Sequence, residues 1–397
     1  MATSDSDSSV PAYLVLEDGS VHRGESMGAR VDGHGEVVFN TSMTGYQEVL
    51  TDPSYAGQLV TLTYPLVGNY GINPQDFESA GIRVAGFIVR EHCDQPSHGR
   101  SDRTLDEYLR AQGIPGICGV DTRAITRRLR DRGVMMGLLT TGSPEAAAAR
   151  LAEMPRYEDQ DLVRTVTAED KYGWDGQPVT LETLRIRASG SISRPTLVAG
   201  SEDNDGEMPE RRILVTDVGL KYNILRLLQA RGCEVIAVPA ETSAQDMLAM
   251  NPSGILLSPG PGDPQLLDYV VGNVRQILGR VPVMGICLGH QLVARALGAD
   301  TFKLKFGHRG GNHPVQDLAT GRVYITAQNH GFAVNPDTLP PGLEVSHINL
   351  NDGTVEGTRH RDMPLFTIQY HSEASPGPRD NEYIFDEFLG MVKEFNH

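Results

Sequence analysis

The sequence predicts an α/β protein in which a C-terminal doubly wound, mostly parallel sheet follows a smaller, β-rich α/β domain. Three observations carry this. Downstream of residue 212, apolar strand patterns alternate with helical ones, the βαβα order of a parallel sheet. The strands there are nearly continuous apolar runs, as expected of strands covered on both faces. Chemistry-bearing residues recur just after those strands, where open α/β sheets collect their sites.

Taken in order, residues 1–10 are rich in Ser and Asp, lack an apolar core or basic flank, and read as a disordered tail without a targeting signal. Tyr13–Leu16 is a strand leading into a turn at Glu17-Asp-Gly-Ser20, and Glu36–Phe39 is a second short strand. Helices are predicted at Thr104–Gln112 and Asp121–Asp131. The arginines between Arg123 and Arg132, including Arg127, Arg128 and Arg130, read as a solvated helix face or part of a subunit interface. These elements place a first domain at 11–200. Residues 201–210 are acidic and punctuated by Gly206 and Pro209, which marks a linker. The second domain, 211–397, opens with strand Ile213–Val218, helix Lys221–Arg231 and strand Glu234–Val238. A helix near Ser243–Met250, strand Gly254–Leu257 and a helix near Gln265–Gly279 follow. The strand Val281–Ile286 and the helix Cys287–Leu297 come next, and Thr367–Ser375 reads as a strand that ends in His371.

Composition bounds the function. The chain has 397 residues, 39% hydrophobic and 22% charged, in the range of a soluble enzyme with more than one core. A formal charge of −16 speaks against nucleic-acid binding. No apolar run approaches the roughly 18–20 residues of a membrane span. Cys93, Cys118, Cys233 and Cys287 are widely spaced with no CxxC pair, which fits free thiols in a reducing cytoplasm. Cys118 reads as a core thiol. His308 and His313 match no common zinc spacing, so no metal is expected. No P-loop motif is present.

The most informative segment is Gly285-Ile-Cys-Leu-Gly-His-Gln291. It places Cys287 at a tight strand-to-helix turn, the position of a nucleophile elbow. Free N–H groups at the helix start favour a thiolate there. A lone cysteine is as readily an inert core residue. Two other segments shift the balance. His371 and Glu373, two apart on the predicted strand, share one face, so the carboxylate can orient the imidazole that serves the thiol as base. Ser258-Pro-Gly-Pro-Gly-Asp-Pro264 is a stiff loop whose Gly260 N–H, with that of Leu288, would face a tetrahedral oxyanion; in isolation such a loop is also an ordinary surface turn.

These three motifs together resemble the class I (Cys-His-Glu) glutamine amidotransferases, with flavodoxin-like sheet order. The resemblance implies release of ammonia from glutamine through a γ-glutamyl thioester on Cys287, with His371 and Glu373 completing the triad. Ser372 stands where that family usually has Pro, and Pro259 where many relatives have Asn; neither removes a reacting group. Glu36 to Tyr55, Thr61-Leu-Thr-Tyr-Pro65, Gly68-Asn-Tyr-Gly71, Asp121 to Arg127 and Asp217 to Arg226 resemble the carbamoyl-phosphate synthetase small-chain family, from about Ala12 to the C-terminus. That resemblance implies that Ser54, Gly260, Gly262, Leu288 and Gln291 line the glutamine pocket, and that Asn329, Gly331 and Phe332 grip its α-groups. It also implies a large-subunit partner that binds ATP and Mg²⁺ and is contacted by the N-terminal domain. No cofactor would sit on this chain, and heterodimers could assemble further. The products would feed arginine and pyrimidine synthesis. Two alternatives remain at this point: a non-catalytic regulatory or scaffold subunit of the same fold, and a stand-alone cysteine hydrolase.

Overall fold

The computed structural model describes residues 10–174 and 211–396. The predicted tail (all but residue 10), the 201–210 linker and residue 397 lie outside the described residues. The chain divides into two units, the first formed by residues up to 43, 57–73 and 84–157, the second by 44–56, 74–83 and 158 onward.

In the first unit, β1 (Pro11–Leu16), β2 (Val21–Gly28), β3 (Gly33–Asn40), β4 (Gln58–Leu62), β6 (Gly86–Ile88), β8 (Pro115–Cys118) and β9 (Met135–Thr140) close into a barrel in the order β1-β2-β8-β6-β4-β3-β9. The short strands β5 (Leu66–Val67) and β7 (Glu91–His92) pair beside it. Leu14, Val37, Leu59, Phe87, Ile117 and Leu138 on these strands have no exposed surface. Closure removes the free edges that would otherwise pair with other chains. The helix Leu105–Ala111 starts with a capping box between Thr104 and Glu107. The helix Thr122–Arg132 buries Ile125 and Leu129 and leaves Arg123, Arg127 and Arg130 exposed, while Arg128 pairs with Asp18. Cys118 ends β8 half-buried, a correction to its reading as a core thiol; burial pushes that thiol's pKa up.

The second unit is built on ten strands. They are β10 (Tyr172–Gly173), β11 (Arg212–Asp217), β12 (Glu234–Pro239), β13 (Gly254–Leu257), β14 (Val283–Ile286), β15 (Thr301–Asp317), β16 (Val323–Val334), β17 (Leu343–Asn349), β18 (Val355–His360) and β19 (Leu365–Ile368). Their order is β10-β12-β11-β13-β14-β19-β18-β17-β15-β16. The five strands from β12 to β19 run parallel, whereas β10 and the block β18-β17-β15-β16 are antiparallel additions. Helices cover both faces. Ile224, Leu228, Phe385 and Phe388 pack on one side. Met247, Val270, Val274, Leu292 and Val293 pack on the other. The doubly wound core is as the sequence predicts.

Three departures follow from tertiary context. Residues 44–56, 74–83 and 158–174, placed by the sequence in an 11–200 domain, belong to the second unit. Buried polar bonds such as Glu78 to Asn223 and Arg226 tie one of these stretches there. The antiparallel block was not anticipated: β15 carries glycines and two register shifts that break its alternation. Finally, β19 stops at Ile368, short of the predicted end at His371. His371 makes only an isolated bridge, its N–H donating to Ala327 O at 2.8 Å, and Ala374 N–H closes a turn back onto His371 O at 3.1 Å.

Candidate active site

Cys287 sits between β14 and the helix Leu288–Leu297 with φ 53° and ψ −106°, a left-handed φ that a non-glycine residue adopts only under strain. The elbow is held by Cys287 N–H donating to Ile368 O at 2.8 Å, and by Gly289 N–H donating to Ser258 O at 3.1 Å. The glycine at 289 is a packing requirement: a Cβ there would lie 2.3 Å from Leu257 O. The thiol is 1% exposed, and its sulfur lies 3.6 Å from Asn329 O.

His371 Nδ1 lies 2.6 Å from Glu373 Oε1, and the same oxygen is 3.0 Å from Lys221 Nζ. The carboxylate only accepts, so Nδ1 carries the hydrogen and Nε2 is the nitrogen left to serve the thiol. Nε2 is buried and, among the described residues, its one neighbouring reactive group is the Cys287 thiol. Burial alone would lower the His371 pKa; the Glu373 carboxylate, then the neighbouring Cys287, raise it to about 10. Burial would raise Glu373, but Lys221 and His371 hold it at about 2. Lys221 is likewise buried, yet Glu373, Asp52 and Glu78 raise it and keep it charged. Its ammonium also donates to Ala374 O at 2.5 Å, and Asn223 Nδ2 donates to Glu373 O at 2.6 Å. The His–Glu contact thus comes from a pinned turn, not from the strand alternation the sequence suggested.

Ser258 Oγ accepts from Val218 N–H at 3.1 Å and donates to Pro259 O at 2.8 Å, which fixes the following loop. A Cβ on Gly260 would lie 2.0 Å from Val218 O and 2.8 Å from a Leu288 methyl, so the loop packs closely against Val218 and the Leu288 side chain. Among the described residues, the N–H groups of Gly260 and Leu288 take no backbone partner. Gly262 follows with φ +91°.

Of the residues implied for glutamine, Asn329, Gly331 and Phe332 lie on β16, and Asn329 reaches the Cys287 sulfur. Gln291 commits its amide nitrogen to Phe332 O at 2.8 Å and Gln369 Oε1 at 3.0 Å, so it braces Phe332. Ser54 sits in a short turn, 4% exposed, with an unpartnered hydroxyl. Ser372 Oγ is also buried and unpartnered.

Sequence reasoning missed Asp52, Lys221, Asn223, Glu78 and Gln369, whose work depends on partners far along the chain. It also missed that His308, His330 and Glu356 bring donor atoms within 4.8 Å of one another. These donors are engaged in protein hydrogen bonds, among them His308 Nε2 to Asp352 at 2.8 Å, His330 Nδ1 to Phe332 O at 2.7 Å and Glu356 Oε2 to Gln328 at 2.9 Å.

Comparison with known proteins gives two family matches. Residues 14–139 match the carbamoyl-phosphate synthase small chain, CPSase domain, and residues 214–391 match glutamine amidotransferase class-I. The chain is 50% identical over 385 residues to the carbamoyl phosphate synthase small chain of Syntrophotalea carbinolica, covering 96% of this chain and 98% of that protein. It is 50% identical over 382 residues to the one from Akkermansia muciniphila, covering 96% and 97%. The same identity holds over 386 residues for that of Bacillus caldolyticus, again covering 96% and 97%. Among the described residues no helix is long and apolar enough to cross a membrane.

Proposed function

Because this chain belongs to the carbamoyl-phosphate synthase small-chain family, with a class I glutamine amidotransferase domain, we propose that Cys287 hydrolyses L-glutamine through a γ-glutamyl thioester and that the ammonia passes to a large ATP-using chain. The observation that carries the reading is one buried line, Cys287–His371–Glu373–Lys221, with a 2.6 Å bond at its centre.

The proton shared by Cys287 Sγ and His371 Nε2 rests on the ring, whose pKa is raised to about 10, and the thiolate attacks the side-chain carbonyl carbon of glutamine. The carbonyl oxygen becomes an oxyanion held by the N–H groups of Gly260 and Leu288. As the tetrahedral intermediate collapses, the C–N bond breaks and His371 delivers its proton to the leaving nitrogen, releasing ammonia. Water, deprotonated by the same ring, then attacks the thioester and frees glutamate. Glu373 fixes the ring's tautomer throughout, and Lys221 keeps Glu373 ionised. Ser54, Gly262, Gln291, Asn329, Gly331 and Phe332 shape the pocket for the amino-acid portion. On the partner chain, ATP and Mg²⁺ would activate bicarbonate for the ammonia to meet, and carbamoyl phosphate would supply arginine and pyrimidine synthesis.

The test compares wild type with Cys287→Ser, each co-purified with the large chain. Carbamoyl phosphate formation from glutamine falls at least about 10³-fold in the variant, while formation from ammonium chloride is retained. Equal use of glutamine by both proteins would overturn the assignment.

A further inference from the structure

Asp52 is buried, 3% exposed, and each of its carboxylate oxygens has its own task. Oδ1 accepts from Ser54 N–H at 2.9 Å and so caps the short turn Pro53–Tyr55. Oδ2 accepts from Asn329 Nδ2 at 3.1 Å, across 277 positions of sequence. A carboxylate has no hydrogen to give, so Asn329 must present its amino end to it and its carbonyl oxygen to the other side. Among the described residues no group donates to Asn329 Oδ1. The Ser54 hydroxyl, buried on the same turn, is also unpartnered. One acid thus aims two open polar groups, and the backbone of one of them, Asn329, touches the Cys287 sulfur through its carbonyl.

An α-amino acid supplies what these groups lack. Its ammonium needs an acceptor such as Asn329 Oδ1, and its carboxylate accepts a hydroxyl hydrogen such as that of Ser54. The buried charge of Asp52 behind Asn329 adds to the preference for an ammonium, while Lys221 nearby keeps the pair of charges balanced.

We infer that Asp52 is a positioning residue for substrate selection: by holding the Ser54 turn and the Asn329 amide, it points both toward the α-groups of the amino-acid substrate. The inference rests on the glutaminase reading above and deepens it. Asp52 itself need not touch glutamine.

Asp52→Asn is nearly isosteric but lets the Asn329 amide turn over and present its amino end to the ammonium. In the complex with the large chain, the KM for glutamine rises at least tenfold, with kcat within about threefold of wild type. Asn329→Asp places two carboxylates together and raises KM as well. The double variant Asp52→Asn/Asn329→Asp re-forms the bond with donor and acceptor exchanged, and its KM falls below that of either single variant. This recovery separates positioning from a general loss of fold and can be read even if one single variant is unstable. An unchanged KM in Asp52→Asn, or a double variant no better than the worse single, would overturn the inference and leave the glutaminase reading standing. A wild-type complex that releases no ammonia from glutamine would overturn both.

Discussion

Glu373 lies fully buried between an imidazole and an ammonium, and the order of charges decides how the site behaves. With Lys221 and His371 on either side, the carboxylate stays ionised and the ring is held in the tautomer that leaves Nε2 for sulfur. Glu373→Gln removes the charge that raises His371 and also frees the ring to rotate. We expect kcat for glutamine hydrolysis to fall about 10²-fold, with the ring titrating at lower pH, measured by the pH dependence of alkylation at Cys287. Lys221→Met leaves a buried carboxylate with only the imidazole to balance it. Breaking such a pair costs about 3–5 kcal/mol, so denaturant unfolding should shift by an amount of that order. A shift near zero would mean that Lys221 does not stabilise the buried carboxylate. The pairing of His371 with Glu373 was legible in sequence, but the part of Lys221 was not, where Lys221 is one lysine ahead of a helix and Asp52 one acid before a proline. A buried charge declares itself only through partners, and these lie 153 and 277 positions away.

At the scale of elements, the elbow depends on a short strand, a helix and the glycines that let them touch. Gly289→Ala would press a methyl against Leu257 O and move the helix Leu288–Leu297 off β13. A loss of about 1–3 kcal/mol is expected, together with lower glutaminase activity, because Cys287 and Leu288 move with the helix. The elbow was legible because apolar runs ending in glycine leave little choice of structure. The turn after β19 was not: the spacing of His371 and Glu373 suits a strand as well as a turn, and only the bond to Ala327 and the contacts of Lys221 and Asn223 with residues 373–374 select the turn.

The antiparallel block makes a pH prediction of its own. Burial lowers His308, but Asp352 and Glu356 outweigh it and raise its pKa to about 9, while Asp352 is held at about 2. A histidine raised on folding adds stability that is fully present below its unfolded value near 6.5 and fades as pH passes about 9. His308→Gln should therefore lower the unfolding free energy by about 1–3 kcal/mol at pH 6, with the difference shrinking as pH rises from 6.5 and nearly gone above about 9. A difference independent of pH would show that the loss is one of packing alone.

For the molecule as a whole, the fold class was more legible than the grouping of segments. Parallel strands such as Ile213–Val218 and Gly254–Leu257 are written in continuous apolar residues, so the doubly wound core could be read directly. The barrel was visible only as scattered short strands, because closure is a property of pairings such as β1 with β9 and not of any one segment. The transfer of residues 44–56 and 74–83 to the second unit was hidden for the same reason. The proposed chemistry falls where the parallel strands end, at Ser258, Cys287 and His371, as the topology of such sheets leads one to expect. The most direct test is mass spectrometry of the complex after exposure to a diazoketone analogue of glutamine. A single adduct on Cys287, prevented by excess glutamine and absent from Cys287→Ser, is the predicted result; an adduct on Cys93, Cys118 or Cys233 in its place would contradict the account.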